Sequence, residues 1–368
     1  MARVSSRIRP NQDPSYQDPP YQDPPYQDPS CQDPSFQDPS WRPPSRWNRI
    51  VRQFGPDKIM NRRTFTRNCA GATLVATFSN SKPLLAGPAS PLVPRPATPD
   101  APFKLSVMLW TVFRDLPFEQ RLEKVAEAGY KNVELVGEYQ KWSEADYVRA
   151  NAKRKELGIS FDATAGLKHG VANPADRNAL LADLREALVS MEKLDCPSII
   201  LLSGDVVPGV SRAAQHQSCI DSLQAAAKLV EGKKIAGEPV RLLLETIDPL
   251  ENPKYYLTSA NEAFEIVKAV NHPQVEFLYD FFHEQIAEGN LIEKLEKNIA
   301  HVALVHIADV PGRHEPGTGE INYGSIFRKL GELKYHGTVA MEFLPTGDPV
   351  AQLRAAREMA IQSSTRLP

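Results

Sequence analysis

Four apolar runs in the second half of the chain lead into residues that can bind a metal or move a proton. LLLE reaches Glu245, FLYD reaches Asp280, ALVH reaches His306 and VAMEF carries Glu342. Taken singly, a Glu after an apolar run is an ordinary solvated strand end, and His306 is a satisfied histidine at a core edge. Four such residues at the ends of four consecutive runs are poorly explained that way. Three carboxylates brought together without a cation repel and raise one another's pKa, so a metal ion is their natural neutraliser. Three oxygen ligands and one imidazole, with no thiolate, suit Mn²⁺ or Mg²⁺ better than a structural zinc.

The stretch HIADVPGRHEPGTGEINY, residues 306–323, follows the apolar run VALV. It reads as a long polar loop leaving a strand end, where α/β proteins concentrate their chemistry. Gly312, Gly317 and Gly319, with Pro311 and Pro316, set its turns. His314, Glu315 and Glu320 face either the site or solvent. Elsewhere, Glu134 near a strand end reads as a substrate contact or as a carboxylate bonded to a neighbouring loop. Trp110 reads as an apolar wall or a barrel cap, and His169 has a similar ambiguity.

The elements that must position these residues alternate regularly. Short apolar runs occur at 103–109, 132–136, 159–164, 198–202, 240–245, 275–280, 302–306 and 338–343. Between them lie stretches with helical spacing, such as FEQRLEKVAEAG, NALLADLREALVSMEKL and SANEAFEIVKAV. Continuous apolar strands joined by helices indicate a parallel sheet covered on its faces. Eight such units in one domain of this length predict a (β/α)8 TIM barrel, whose working residues stand at the C-terminal ends of its strands. A doubly wound open sheet is the alternative; no G-x-G-x-x-G follows the first strand to suggest a dinucleotide fold.

The loop GRHEPGTGEINY, the DFFH after the sixth strand, LLLET and AMEF together resemble the hydroxypyruvate isomerase family, xylose-isomerase-like TIM barrels related to ketose 3-epimerases. The resemblance extends from about Phe103 to the end of the chain and rests most on the long loop. It implies that Glu245 and Glu342 are the catalytic pair, one removing a proton and the other returning it on the neighbouring carbon. It also implies metal ligation by Glu245, Asp280, His306 and Glu342, a substrate contact from His283, and a cation toward the substrate from Arg313. The reaction implied is aldose–ketose isomerisation of hydroxypyruvate to tartronate semialdehyde through an enediolate. A bound divalent ion and two carboxylates meet the needs of that chemistry. His306 departs from the Gln that some hydroxypyruvate isomerases carry at this position and matches the epimerase branch, so a ketose 3-epimerase is the near alternative. A non-catalytic, exported carbohydrate-binding protein is the other, though a pure binder has no need for paired acid/base groups. A related-barrel endonuclease would need a His-rich multi-zinc site and a basic face.

Lys+Arg 43 against Asp+Glu 45, for a formal net charge of −2, give no footprint for nucleic acid or anionic membrane. A small hydroxy-keto acid or sugar is the expected partner, and a homo-oligomer face has the same helical spacing as a core face. The average hides a leader. Residues 1–59 contain the repeat QDPSYQDPPYQDPPYQDPSCQDPSFQDPSW, whose prolines forbid a regular helix or central strand and leave a disordered or polyproline II segment. Residues 60–100 begin MNRRTFTRNCAGATLVATFSN, which resembles a twin-arginine export signal with Arg62, Arg63 and Phe65, followed by a Pro-rich linker. Its apolar stretch is too short to anchor the chain in a bilayer. The expectation is that Met60 is the true start and the protein is exported to the periplasm, or stays cytoplasmic if the signal is unused. Residues 101–368 form the barrel domain, in which Cys196 and Cys219 are too few for a disulfide scaffold or a zinc module.

Overall fold

The computed structural model describes residues 100–365. The Gln-Asp-Pro repeat and the twin-arginine-like stretch lie outside the described residues. Eight parallel strands close into a barrel: β1 (Lys104–Met108), β2 (Asn132–Val136), β3 (Ser160–Ala165), β4 (Ser198–Leu202), β7 (Arg241–Glu245), β8 (Val275–Asp280), β9 (Val302–Ile307) and β10 (Thr338–Met341). Sequential barrel strands are neighbours, and β10 returns to pair with β1. The open-sheet alternative is thereby excluded. A two-residue-per-strand hairpin, β5 (Lys234–Ile235) with β6 (Glu238–Pro239), interrupts the approach to β7 and was not anticipated; strands that short carry no alternation to detect.

Helices on the outside supply the second layer: α1 (Phe118–Glu127), α2 (Glu144–Leu157), α3 (Arg177–Leu194), α4 (Arg212–Val230), α5 (Ala260–Val270), α6 (Phe281–Ala287), α7 (Leu291–Asn298), α8 (Tyr323–Glu332) and α9 (Pro349–Thr365). Their starts follow from local chemistry. Ser143 and Asp146 form a reciprocal capping box on α2, and Ser211 and Ser259 cap α4 and α5. Helix α2 stops at Gly158, which takes the left-handed conformation (φ 66°) that a Cβ would strain.

The apolar residues divide into two cores. One lies between strands and helices and includes Leu122, Leu184, Leu242, Leu244, Phe264, Phe277 and Phe327. The other fills the barrel interior with Met108, Ala163, Ile200, Leu243, Leu278, Leu304 and Ala340. Because strand side chains alternate, the residue two places after each interior residue also faces inward, one step nearer the mouth. On β7, β8, β9 and just past β10 that position is Glu245, Asp280, His306 and Glu342. The apolar floor thus fixes the height and direction of all four polar groups. Glu342 lies just beyond the last strand residue, but its backbone N–H still donates to Ile307 at 3.0 Å.

Candidate active site

The four residues converge as the spacing predicted. One ligating atom from each of Glu245, Asp280, His306 and Glu342 lies within 4.8 Å of all the others, and all four residues are buried. His306 Nδ1 is 2.8 Å from Glu342 Oε2, 3.7 Å from Glu245 Oε1 and 4.0 Å from Asp280 Oδ2. Despite the short approach to Glu342, Nδ1 makes no well-directed hydrogen bond, and Asp280 Oδ2 has none either. Two buried polar atoms without partners, aimed at one point among carboxylates, fit a divalent cation. A second close set, Asp248, Glu251 and His283, is already served by a cation of the chain. Arg313 Nη1 sits 3.0 Å from Glu251 Oε2 and 3.4 Å from His283 Nε2.

Asp280 shows how one residue serves two ends. Its Oδ1 accepts from the backbone N–H groups of Phe282 (2.7 Å) and His283 (3.4 Å), capping α6, while Oδ2 remains for the site. That cap sets the first turn of α6 and so places His283, whose Nδ1 contacts Asp248 Oδ2 at 2.7 Å and whose Nε2 lies 3.5 Å from Asp280 Oδ2. Arg313 reaches in from the 308–322 loop. Its Nη2 donates to Glu342 Oε2 at 2.8 Å and lies 3.5 Å from Asp280 Oδ2, with the guanidinium over the rings of Phe282 and Trp110.

Buried Asp309 organises that loop. Its Oδ2 accepts from Gly317 and Gly319 N–H, both at 2.9 Å, and its Oδ1 from Ile321 N–H at 2.9 Å. A Cβ on Gly319 would meet Val310 O at 2.0 Å, so the close approach requires glycine.

The protonation preferences split the carboxylate pair. Burial alone would raise Glu342, but His306 and Arg313 outweigh it and hold the group well below the usual carboxylate range. Burial pushes Glu245 up to about 8; His306 opposes this, while Glu342 and Asp280 add to it. Burial also works against charge on His283, yet Asp280 and Asp248 push it up to about 9. Glu342 is fixed at both oxygens, since Trp110 Nε1–H donates to Oε1 at 2.8 Å. Among the described residues no hydrogen-bond donor engages the Glu245 carboxylate.

Several readings of the sequence need correction. Glu134 neither faces the mouth nor bonds a loop: it is fully buried inside the barrel, with Oε2 2.8 Å from His306 Nε2. Trp110 is more than an apolar wall, since its indole N–H fixes Glu342. His169 Nδ1 contacts Asp183 at 2.9 Å and serves its own loop. Glu315 faces neither site nor solvent; it is buried and accepts from the backbone N–H of Thr346 at 3.0 Å. His314 bonds Leu344 O, whereas Glu320 takes the solvent-facing alternative of its two readings and accepts from Gln285 at the surface. Cys196 and Cys219 are buried free thiols.

The model of the xylose isomerase-like TIM barrel family matches residues 122–362. The chain belongs to the xylose isomerase-like TIM barrel family. Over 248 residues it is 32% identical to the 2-oxo-tetronate isomerase of Pectobacterium atrosepticum, covering 66% of this chain and 93% of that one. It is 28% identical over 260 residues to the hydroxypyruvate isomerase of Escherichia coli K12, covering 68% and 97%. Among solved structures, AP endonuclease, family 2, from Brucella melitensis superimposes with a TM-score of 0.61 at 28% identity, covering 68% of this chain and 96% of that one. Both of these sequence relatives are named as isomerases.

Proposed function

We propose that the protein interconverts a three- or four-carbon 2-oxo acid with the isomer that carries its carbonyl on the adjacent carbon, hydroxypyruvate and tartronate semialdehyde being the simplest pair. The observation that carries this reading is the pair of buried carboxylates, Glu245 and Glu342, flanking a point that Asp280 and His306 also face. A divalent ion, Mn²⁺ or Mg²⁺, held by these four residues would polarise the carbonyl and stabilise negative charge on its oxygen. The chain's own groups carry the proton. Of the two glutamates, one removes a proton from the hydroxyl-bearing carbon, giving an enediolate, and the other returns a proton to the adjacent carbon; Glu245, which no donor engages, is the freer of the two to move. The hydroxyl proton passes to the former carbonyl oxygen, so the product differs only in where hydrogen and the double bond lie. Arg313 holds Glu342 in place and offers a positive edge toward a substrate carboxylate.

Similarity to isomerases of hydroxypyruvate and 2-oxo-tetronate supports this substrate class. The ketose 3-epimerase alternative would use the same pair on a longer chain, and a carbohydrate binder would leave the pair idle. The endonuclease reading finds one histidine among the four ligands and a net charge of −2 where it needs many histidines and a basic face. Purified protein loaded with Mn²⁺ should convert hydroxypyruvate to an aldehyde and lose that activity in EDTA. Turnover of a ketohexose but not of hydroxypyruvate would transfer the assignment to the epimerase, and turnover of neither would favour the binder. We further propose that the stretch from Met60 directs export; a full-length chain with an intact Met60 region recovered from the cytoplasm would contradict that.

A further inference from the structure

Glu134 occupies an interior position that its neighbours fill with apolar atoms: it pairs in register with Met108 on one side and Ala163 on the other. It is fully buried, and a carboxylate there is costly unless paired. Its Oε2 lies 2.8 Å from His306 Nε2, while its Oε1 has no partner, so a single contact accounts for its placement. His306, itself 1% exposed, spans the gap between Glu134 and the centre of the four-residue cluster, to which it turns Nδ1.

We propose that Glu134 is a positioning residue for the metal centre: by accepting the Nε2 proton of His306 it fixes the imidazole tautomer and ring angle, so that the Nδ1 lone pair faces Glu245, Asp280 and Glu342. This inference rests on the reading of His306 as a metal ligand. Imidazole has one acceptor nitrogen when neutral, and the hydrogen bond made by the other nitrogen decides which one it is. Without Glu134 the Nε2–H would be stranded in an apolar interior, or the proton would move to Nδ1 and block ligation. Such outer partners typically contribute 10- to 100-fold in metal affinity. The carboxylate also makes the imidazole a stronger donor to a cation.

The test is calorimetric titration of chelator-stripped full-length protein with Mn²⁺, for wild type, Glu134→Gln, Glu134→Leu and Thr164→Val. Thr164 is a buried hydroxyl on the neighbouring strand that bonds Leu135 O and Tyr139 rather than the site, so its loss reports destabilisation alone. The expected result is a Kd raised about 10- to 100-fold in Glu134→Leu, a smaller rise in Glu134→Gln, which keeps an acceptor but not the charge, and no change in Thr164→Val. Wild-type Kd in folded Glu134→Gln and Glu134→Leu, or an equal loss in Thr164→Val, would overturn the positioning role while leaving the metal centre intact. Absence of Mn²⁺ binding in the wild type would instead remove the metal reading beneath it.

Discussion

At the barrel mouth, β7 to β9 and the residue just past β10 present Glu245, Asp280, His306 and Glu342, whereas the equivalent positions just past β1 and on β2 to β4 present Trp110, Val136, Ala165 and Leu202. The register ties the halves together: Leu202 stands beside Glu245, and Val136 beside Ala165. Val136 and Leu202 remain 39% and 40% exposed although they face inward, which is where a ligand would cover them. Of the four residues on the apolar side, only Trp110 has a polar hydrogen, and it is committed to Glu342. One half can grip oxygen atoms and move protons; the other excludes water from them without offering partners. A polyol lying across the mouth would leave hydroxyl groups unpaired there, at about 1–3 kcal/mol each.

The largest break in this division would come from its polar half. Glu245→Gln and Glu342→Gln should each lower kcat by about 100- to 10,000-fold, the usual range for loss of a general acid or base, with the fold intact by circular dichroism. Arg313→Lys comes next. It keeps the charge but loses the forked contacts to Glu342 and Glu251, and kcat/KM should fall about 10- to 100-fold in steady-state assays. The apolar half should respond through specificity. Leu202→Asn supplies hydrogen-bonding atoms, so the kcat/KM preference for hydroxypyruvate over a ketohexose should narrow by about tenfold; a preference unchanged or widened would count against the role given to that half.

A smaller effect concerns the metal-free protein. Glu245 is raised above its unfolded value, so between about 4.5 and about 8 the folded state binds the extra proton and is stabilised by it. His306 is also raised, and its contribution is present below its unfolded pKa and lost as pH climbs through the folded one. Both terms make metal-free stability fall as pH rises from about 6 toward 8. The thermal midpoint in EDTA should therefore drop over that range, and Mn²⁺ should flatten the dependence.

Much of the polar half was legible in the sequence because period-two spacing after an apolar run fixes which way a strand-end residue points. LLLE, FLYD and ALVH declare their last residues inward-facing once the barrel is recognised, and the loop GRHEPGTGEINY brought Arg313 with it. Glu134 was harder. It sits two residues before the exposed Val136, in a strand otherwise ordinary, and only closure of the barrel brings β2 within reach of His306 on β9. A charged residue at a position that neighbouring strands fill with Met108 and Ala163 was the available signal. Trp110 and Glu315 found partners more than 30 residues away in Glu342 and Thr346, pairings that local pattern does not encode.

Proton transfer by the Glu245–Glu342 pair is tested most directly by running the Mn²⁺-loaded reaction on hydroxypyruvate in D₂O and following carbon-bound deuterium by NMR. Deuterium is expected at the carbon that receives the proton, with no incorporation in EDTA and loss of incorporation in Glu245→Gln. Product formed at wild-type rates with no solvent deuterium would mean that the abstracted hydrogen itself reaches the neighbouring carbon, by a direct shift or on a single base, and would contradict the division of roles between the two carboxylates.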